Sequence, residues 1–185
     1  MRGHVMTGAA PNPQELGEQL LKSLDKTQVG AAASKLFAAS IGDMVVVLSR
    51  SPAHKHYSFA DIEWMVLPPI MAGQFYVVEV MHKERGFRVP IAAVTWAFVS
   101  EELDGRLREG AKQRVRLRPD EWKSGDIGWL IDAAGDGKGL DAALQWLKAG
   151  PFKERALNLI TQHKGVPIAS TLEALMADRV ASAAT

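Results

Sequence analysis

Cysteine is absent from this 185-residue chain, which excludes disulfide bridges, thiolate metal sites and a cysteine nucleophile. A dominant charge is lacking as well, because 22 basic and 21 acidic side chains leave a formal net charge of +1. Bulk electrostatic attraction to nucleic acid or to an anionic membrane is therefore not expected. No run of about eighteen consecutive apolar residues occurs, so the sequence predicts no membrane span. Met1–Pro13 is polar, contains Gly and Pro, and holds no apolar run of the kind a secretory signal needs. A cytoplasmic protein is the expectation. His4, His82 and His163 are scattered, and no metal-ligand spacing is present.

What remains is enough for one compact domain with an added terminal helix. The hydrophobic fraction is 47% and the charged fraction 23%, both ordinary for a globular chain. Residues 1–13 read as a flexible leader ending in Pro11-Asn12-Pro13. Residues 14–40 read as an N-terminal helical extension, with Leu16, Leu20, Leu21 and Leu24 on one face and a second helix over Val29–Ser40 stopped by Gly42. Residues 41–185 read as the main domain. There Met44–Leu48 is a short apolar run predicted as a buried strand. Ser51–His56 is a loop, and Ser58 caps a helix from Phe59 that Pro68-Pro69 ends. Gln74–Met81 and Arg88–Val99 predict an antiparallel hairpin, followed by a short helix or turn over Glu101–Arg108. Gln113–Arg118 alternates basic and apolar residues like an edge strand, and Trp129–Ile131 predicts a strand ending at Asp132. A helix with Leu140, Leu144 and Leu147 follows, then a strand over Ala156–Ile160 and a last helix capped by Thr171. This order predicts an α+β fold around a mostly antiparallel central sheet flanked by helices.

Several short patterns then occur in order: Ser51-Pro52-x-His54, Leu67-Pro68 with Gln74-Phe75-Tyr76, Thr95-Trp96-Ala97, and Trp122-x-Ser124-Gly125-Asp126 leading to Trp129-x-x-Asp132. Together they resemble the toxin-activating lysine acyltransferases, the enzymes that activate RTX hemolysins and cyclolysins. The resemblance implies a Gcn5-related N-acetyltransferase-like fold, a homodimer, and acyl-carrier protein as donor through its phosphopantetheine thioester, with no bound cofactor. It implies as acceptor the lysine ε-amines of an RTX-type protoxin. It carries a catalytic role onto His54 and Asp132, with Ser51 as a secondary candidate. Three features depart from the family pattern: Ile127 stands where an arginine is common, Ala133–Gly137 replaces a Trp-Ile-Ala-Pro-Phe-Gly-like run, and the N-terminal extension of about thirty residues is unlike the shorter hemolysin activators.

The chemistry is consistent with those assignments. A lysine with an ordinary pKa near 10.4 is neutral in only about one molecule in 2,500 at pH 7, so transfer from an activated thioester needs a base. Histidine is the side chain that titrates near neutrality, and a carboxylate bonded to it fixes its tautomer. His56 is a possible competitor, although it falls outside the matched pattern. Gly135-Asp136-Gly137-Lys138-Gly139 invites a phosphate-loop reading but lacks GxxxxGK[ST] spacing. Nor does it form the loop that acetyl-CoA enzymes of the same fold use, which favours acyl-carrier protein as donor. Arg114, Arg116 and Arg118 form a candidate docking face for that acidic partner, or else a charged edge that discourages strand pairing. Two other functions compete: an acetyl-CoA-dependent acetyltransferase of the same fold acting on a small amine, and a non-catalytic relative that binds acyl-carrier protein.

Overall fold

The structure, a computed structural model, describes residues 26–112 and 115–183. The expected leader, the expected helix over Gln14–Leu24, and Arg114 lie outside the described residues. The chain divides between Ala39 and Ser40 into two compact units. Of the first, Lys26–Ala39 is described, and it is helical with exposed residues from Thr27 onward.

Helix α1 (Lys26–Arg50) is continuous, which corrects both a stop at Gly42 and a strand over Met44–Leu48. The apolar run has helical phase: Met44, Val47 and Leu48 lie at i, i+3 and i+4, and all three are buried. By length and hydropathy the segment Thr27–Arg50 would also suffice to cross a membrane. Gly, Ser and a few charges interspersed along it leave no unbroken apolar run. Its last turns, however, pack into the core with Met65, Val66 and Ile70.

Helix α2 (Phe59–Met65) starts at Ser58, whose backbone N–H and hydroxyl both donate to Asp61. Helix α3 (Leu67–Ala72) follows almost directly. Pro68 and Pro69 stand in its first turn, where their missing N–H groups cost nothing, so they open a helix where an end was expected.

Strands β1 (Phe75–Met81), β2 (Arg88–Val99), β3 (Ile127–Gly135), β4 (Leu157–His163) and β5 (Val166–Thr171) form one sheet in sequence order. Every pairing is antiparallel except β3 with β4, which is parallel and registers only at Gly128↔Leu157 and Trp129↔Asn158. The fold is α+β, a mixed five-stranded sheet flanked by helices. Helices α5 (Gly137–Ala149) and α6 (Leu172–Ala183) pack against Val94, Trp96 and Leu157 on one face. The opposite face meets α1, α2 and α3 through Ala93 and Ala134, and α4 (Glu101–Glu109) through Ala97, Val99 and Trp129.

Residues 115–118 form no strand, which corrects the expected edge strand. Strand β5 was not anticipated, because Val166–Thr171 is short and carries a proline at its second residue. Strand β3 runs three residues past Asp132, so that carboxylate is inside a strand.

Candidate active site

Helix α1 stops at Arg50, and Pro52 just beyond cannot continue it. The chain folds instead into tight turns: Ser51 N–H donates to Leu48 O at 3.0 Å, His54 N–H to Ser51 O at 2.9 Å, and Tyr57 N–H to His54 O at 2.9 Å. These turns carry the His54 imidazole inward, where the residue is only 5% exposed. His56, which points outward, is exposed.

Asp132 reaches His54 through an irregularity in the sheet. Thr95 pairs with Asp132, yet the next residue, Trp96, pairs with Leu130. Ile131 is therefore an extra residue, a β-bulge. Counted in twos from Trp129, Asp132 would face α5. With the extra residue, Ile131 and Asp132 share the face of Trp129, and Asp132 stands beside Thr95 on the side of His54.

The result is a line of three side chains. His54 Nδ1 lies 2.7 Å from Ser51 Oγ, and His54 Nε2 lies 3.0 Å from both carboxylate oxygens of Asp132. An ionised carboxylate only accepts, so Nε2–H donates to Asp132, and in the neutral imidazole the Ser51 hydroxyl then donates to Nδ1. Ala133 N–H donates to Asp132 Oδ1 at 2.9 Å and holds the carboxylate in place. The side chains of His54 and Asp132 are 3% and 13% exposed, so the pair acts largely away from bulk water, where its interaction is stronger.

A cavity of about 260 Å³ opens beside His54, walled by Val45, Leu48, Tyr57, Ile62 and Met65. Its lining is mostly apolar. The Tyr57 ring lies 5.8 Å from that of His54 and meets Trp64 edge-on at 6.1 Å.

Asp61 anchors the next layer. It accepts from Ser58 N–H and Oγ–H at 2.8 and 3.0 Å, from Trp64 Nε1–H at 2.9 Å, and from Arg116 at 3.1 Å. The Ser58 N–H foremost, then Trp64 and Arg116, hold its carboxyl below the usual range. The Arg116 guanidinium also lies 4.4 Å above the Trp64 ring. Arg118 reaches Glu121 and Asp120 at 3.4 and 3.7 Å. Both arginines of the basic stretch that are described thus already have partners, although each is more than half exposed.

At the glycine-rich turn, Asp136 caps α5 and accepts from Gly139 N–H at 2.6 Å. A carboxylate therefore occupies the helix N-terminus where a phosphate would sit, which agrees with rejecting a phosphate loop. Gly135 has φ +131, and a Cβ there would meet Ala92 Cα at 2.5 Å. Only glycine lets β3 pass so close to β2 before the turn.

The structure brings Ser51, His54 and Asp132 together as sequence reasoning grouped them. That reasoning missed Thr95, which is 1% exposed and opposite Asp132, and Asp61, whose place in Ser58-x-x-Asp61 was the legible sign of a capping box.

A serine hydroxyl, an imidazole and a carboxylate thus stand in one hydrogen-bonded line beside a mixed sheet, an arrangement chemically able to pass a proton. The chain belongs to the RTX toxin acyltransferase family, whose profile it matches over residues 34–178. It is 33% identical over 85 residues to the lysine-acyltransferase RtxC of Vibrio cholerae serotype O1, covering 46% of this chain and 50% of that protein. It is 33% identical over 92 residues to the leukotoxin-activating lysine-acyltransferase LtxC of Aggregatibacter actinomycetemcomitans, covering 50% and 49%. Over 92 residues it is 29% identical to the RTX-II toxin-activating lysine-acyltransferase ApxIIC of Actinobacillus pleuropneumoniae, covering 50% and 52%. The matches thus span about half the length of these curated relatives.

Proposed function

We propose that this protein is a protein-lysine acyltransferase with a Gcn5-related N-acetyltransferase-like fold. In this reading it moves a fatty-acyl group from acyl-carrier protein to lysine ε-amines of an RTX-type protoxin. The observation that carries the reading is the Ser51–His54–Asp132 line. Asp132 holds Nε2–H, so Nδ1 is the nitrogen that takes a proton. The acceptor amine attacks the thioester carbonyl as its proton passes to Nδ1, directly or through the Ser51 hydroxyl. Collapse of the tetrahedral adduct breaks the C–S bond, and the imidazolium returns the proton to the departing thiolate. Asp132 stabilises the imidazolium in between. The apolar cavity beside His54 suits an aliphatic chain and favours a fatty acyl over an acetyl donor.

We place the reaction in the cytoplasm, with a homodimer as the working form and the phosphopantetheine thioester as co-substrate. Arg116 and Arg118, with Arg114, remain our proposed docking face for acyl-carrier protein, since the exposed charge of Arg116 and Arg118 can steer an acidic partner even while paired locally.

The test is transfer itself. Incubation with acyl-carrier protein bearing a saturated long chain, and with an RTX protoxin, should add the chain mass to lysines. Acetyl-CoA with small amines should give no product. A product from the second pair alone would replace this reading with the acetyltransferase one. A second reading has an observation of its own: at 2.7 Å from Nδ1, Ser51 Oγ is placed to become acylated first. Ser51→Ala should then abolish transfer as fully as loss of His54, whereas a relay role predicts a partial loss. Mass spectrometry of the enzyme quenched in turnover would reveal an acyl-serine.

A further inference from the structure

Thr95 Oγ1 and Trp122 Nε1 are buried polar atoms with no hydrogen-bond partner. Their residues are 1% and 2% exposed. A buried polar atom without a partner has lost its hydration and gained nothing in return, so two of them side by side call for an explanation. Both residues line one cavity of about 20 Å³, together with Trp64, Ile131 and Asp132. This is the space under the β-bulge, where the extra residue parts the β2–β3 ladder. A water molecule needs roughly 10–15 Å³ of such volume and two to four polar partners. The cavity therefore has room for one water, and Thr95, Trp122 and Asp132 bring polar groups to its lining.

We propose that this cavity binds a single ordered water that ties Asp132 to Thr95 and Trp122, making those two positioning residues of the active site. The hydrogen-bond inventory closes. The indole N–H can only donate, and an ionised carboxylate can only accept. Water accepts from Trp122 Nε1–H, donates one hydrogen to Asp132, and shares a further bond with the Thr95 hydroxyl, which can donate or accept. Asp132 is then restrained by His54 Nε2–H, by Ala133 N–H and by the water. Trp64 walls the site, itself fixed by Asp61 and covered by Arg116.

Occupancy of the site is independent of the reaction, while its kinetic consequence rests on the acyltransferase reading. A high-resolution crystal structure should show a water within hydrogen-bond distance of Trp122 Nε1, Thr95 Oγ1 and Asp132. In solution, the Trp122 indole proton should show cross-relaxation with a long-lived water, a signal absent from Trp122→Phe. In the transfer assay, Thr95→Val and Trp122→Phe should each lower kcat about 10- to 100-fold, the order for a lost hydrogen bond to a charged group, with KM unchanged. Thr95→Ser keeps the hydroxyl and should keep most of the rate. Because both side chains act through one water, the double variant should be little worse than the worse single. A dry cavity overturns the proposal, as does wild-type turnover in a folded Thr95→Val protein. Additive losses in the double variant overturn the shared water. A wild-type protein that transfers no acyl group would sink the acyltransferase reading and leave the occupancy result to decide this one.

Discussion

The Ser51–His54–Asp132 line predicts graded losses when its members are changed one at a time. His54→Ala should lower acyl transfer by about 10²–10⁴-fold, the usual range for a general base, with the circular dichroism spectrum unchanged. Asp132→Asn keeps the shape but removes the charge that stabilises the imidazolium, so kcat should fall while KM holds. A near-normal rate in folded His54→Ala would transfer the role to another group. Of this site, the nearness of Ser51 to His54 was legible because two residues of one turn cannot lie far apart, while their role came from the ordered patterns. Asp132 was legible only through the ordered patterns, since a separation of 78 residues hides any contact from local reasoning. The Asp61–Trp64–Arg116 cluster was legible in part: its capping box is local, but the guanidinium comes from across the fold. Arg116 is therefore a poor probe of docking, because reversing it also frees the Trp64 wall. Arg118, 72% exposed, is the better one. Arg118→Glu should raise KM for acyl-carrier protein, with little change in kcat, and the wild-type KM should worsen with added salt. Constancy of both would remove the docking role.

Among the elements, helix α1 shows why local signals misled. Five consecutive apolar residues with three valines favour a strand by propensity, and Gly42 beside them looks like a stop. Tertiary burial decided otherwise, because only a helix presents Met44, Val47 and Leu48 together to α2 and α3. Two substitutions test the phase. Gly42 is exposed and helical, and a Cβ there meets nothing within 4 Å. Gly42→Ala should therefore raise stability by about 0.5–1 kcal/mol in denaturant unfolding. Met44→Ala, at a position 2% exposed, should cost about 2–5 kcal/mol. If Gly42→Ala destabilised by as much as Met44→Ala, the helix would have to break between them. The β1–β2 hairpin was legible to within a residue, since strong strand formers flank a polar turn. The basic stretch was not, because alternation alone cannot tell a strand from an extended segment whose arginines pair with neighbouring acids.

On the scale of the whole molecule, the hydrogen-bonded and ion-paired carboxylates set the response to acid. Asp104 is held below its usual range by the Arg108 side chain first, with Trp129 Nε1–H adding to it. Burial pushes Glu121 up, but the Arg118 N–H and the Arg106 guanidinium outweigh that and leave it lowered. Asp61 is lowered too. Groups with depressed folded values stabilise the protein above the ordinary carboxylate range, and that stability is lost as pH falls through their folded values. Asp43 opposes them: burial, then Glu79, raises it, so its contribution is present at low pH and lost as pH rises. Three against one, thermal unfolding should show a melting temperature that drops as pH falls below about 4, and Asp104→Asn should flatten part of that drop. A melting temperature independent of pH in that range would contradict the ion pairs.

The extra residue in β3 has a consequence for how tolerance to substitution is distributed along the strand. On the side of His54 stand Trp129 and Ile131, then Asp132 and Ala134; on the side of α5 stand Leu130 and Ala133. The parity of the sequence therefore switches once, at Ile131. A scan of pairwise substitutions should find coupling to the α5 layer at 130 and next at 133, a step of three in a polymer whose natural step is two.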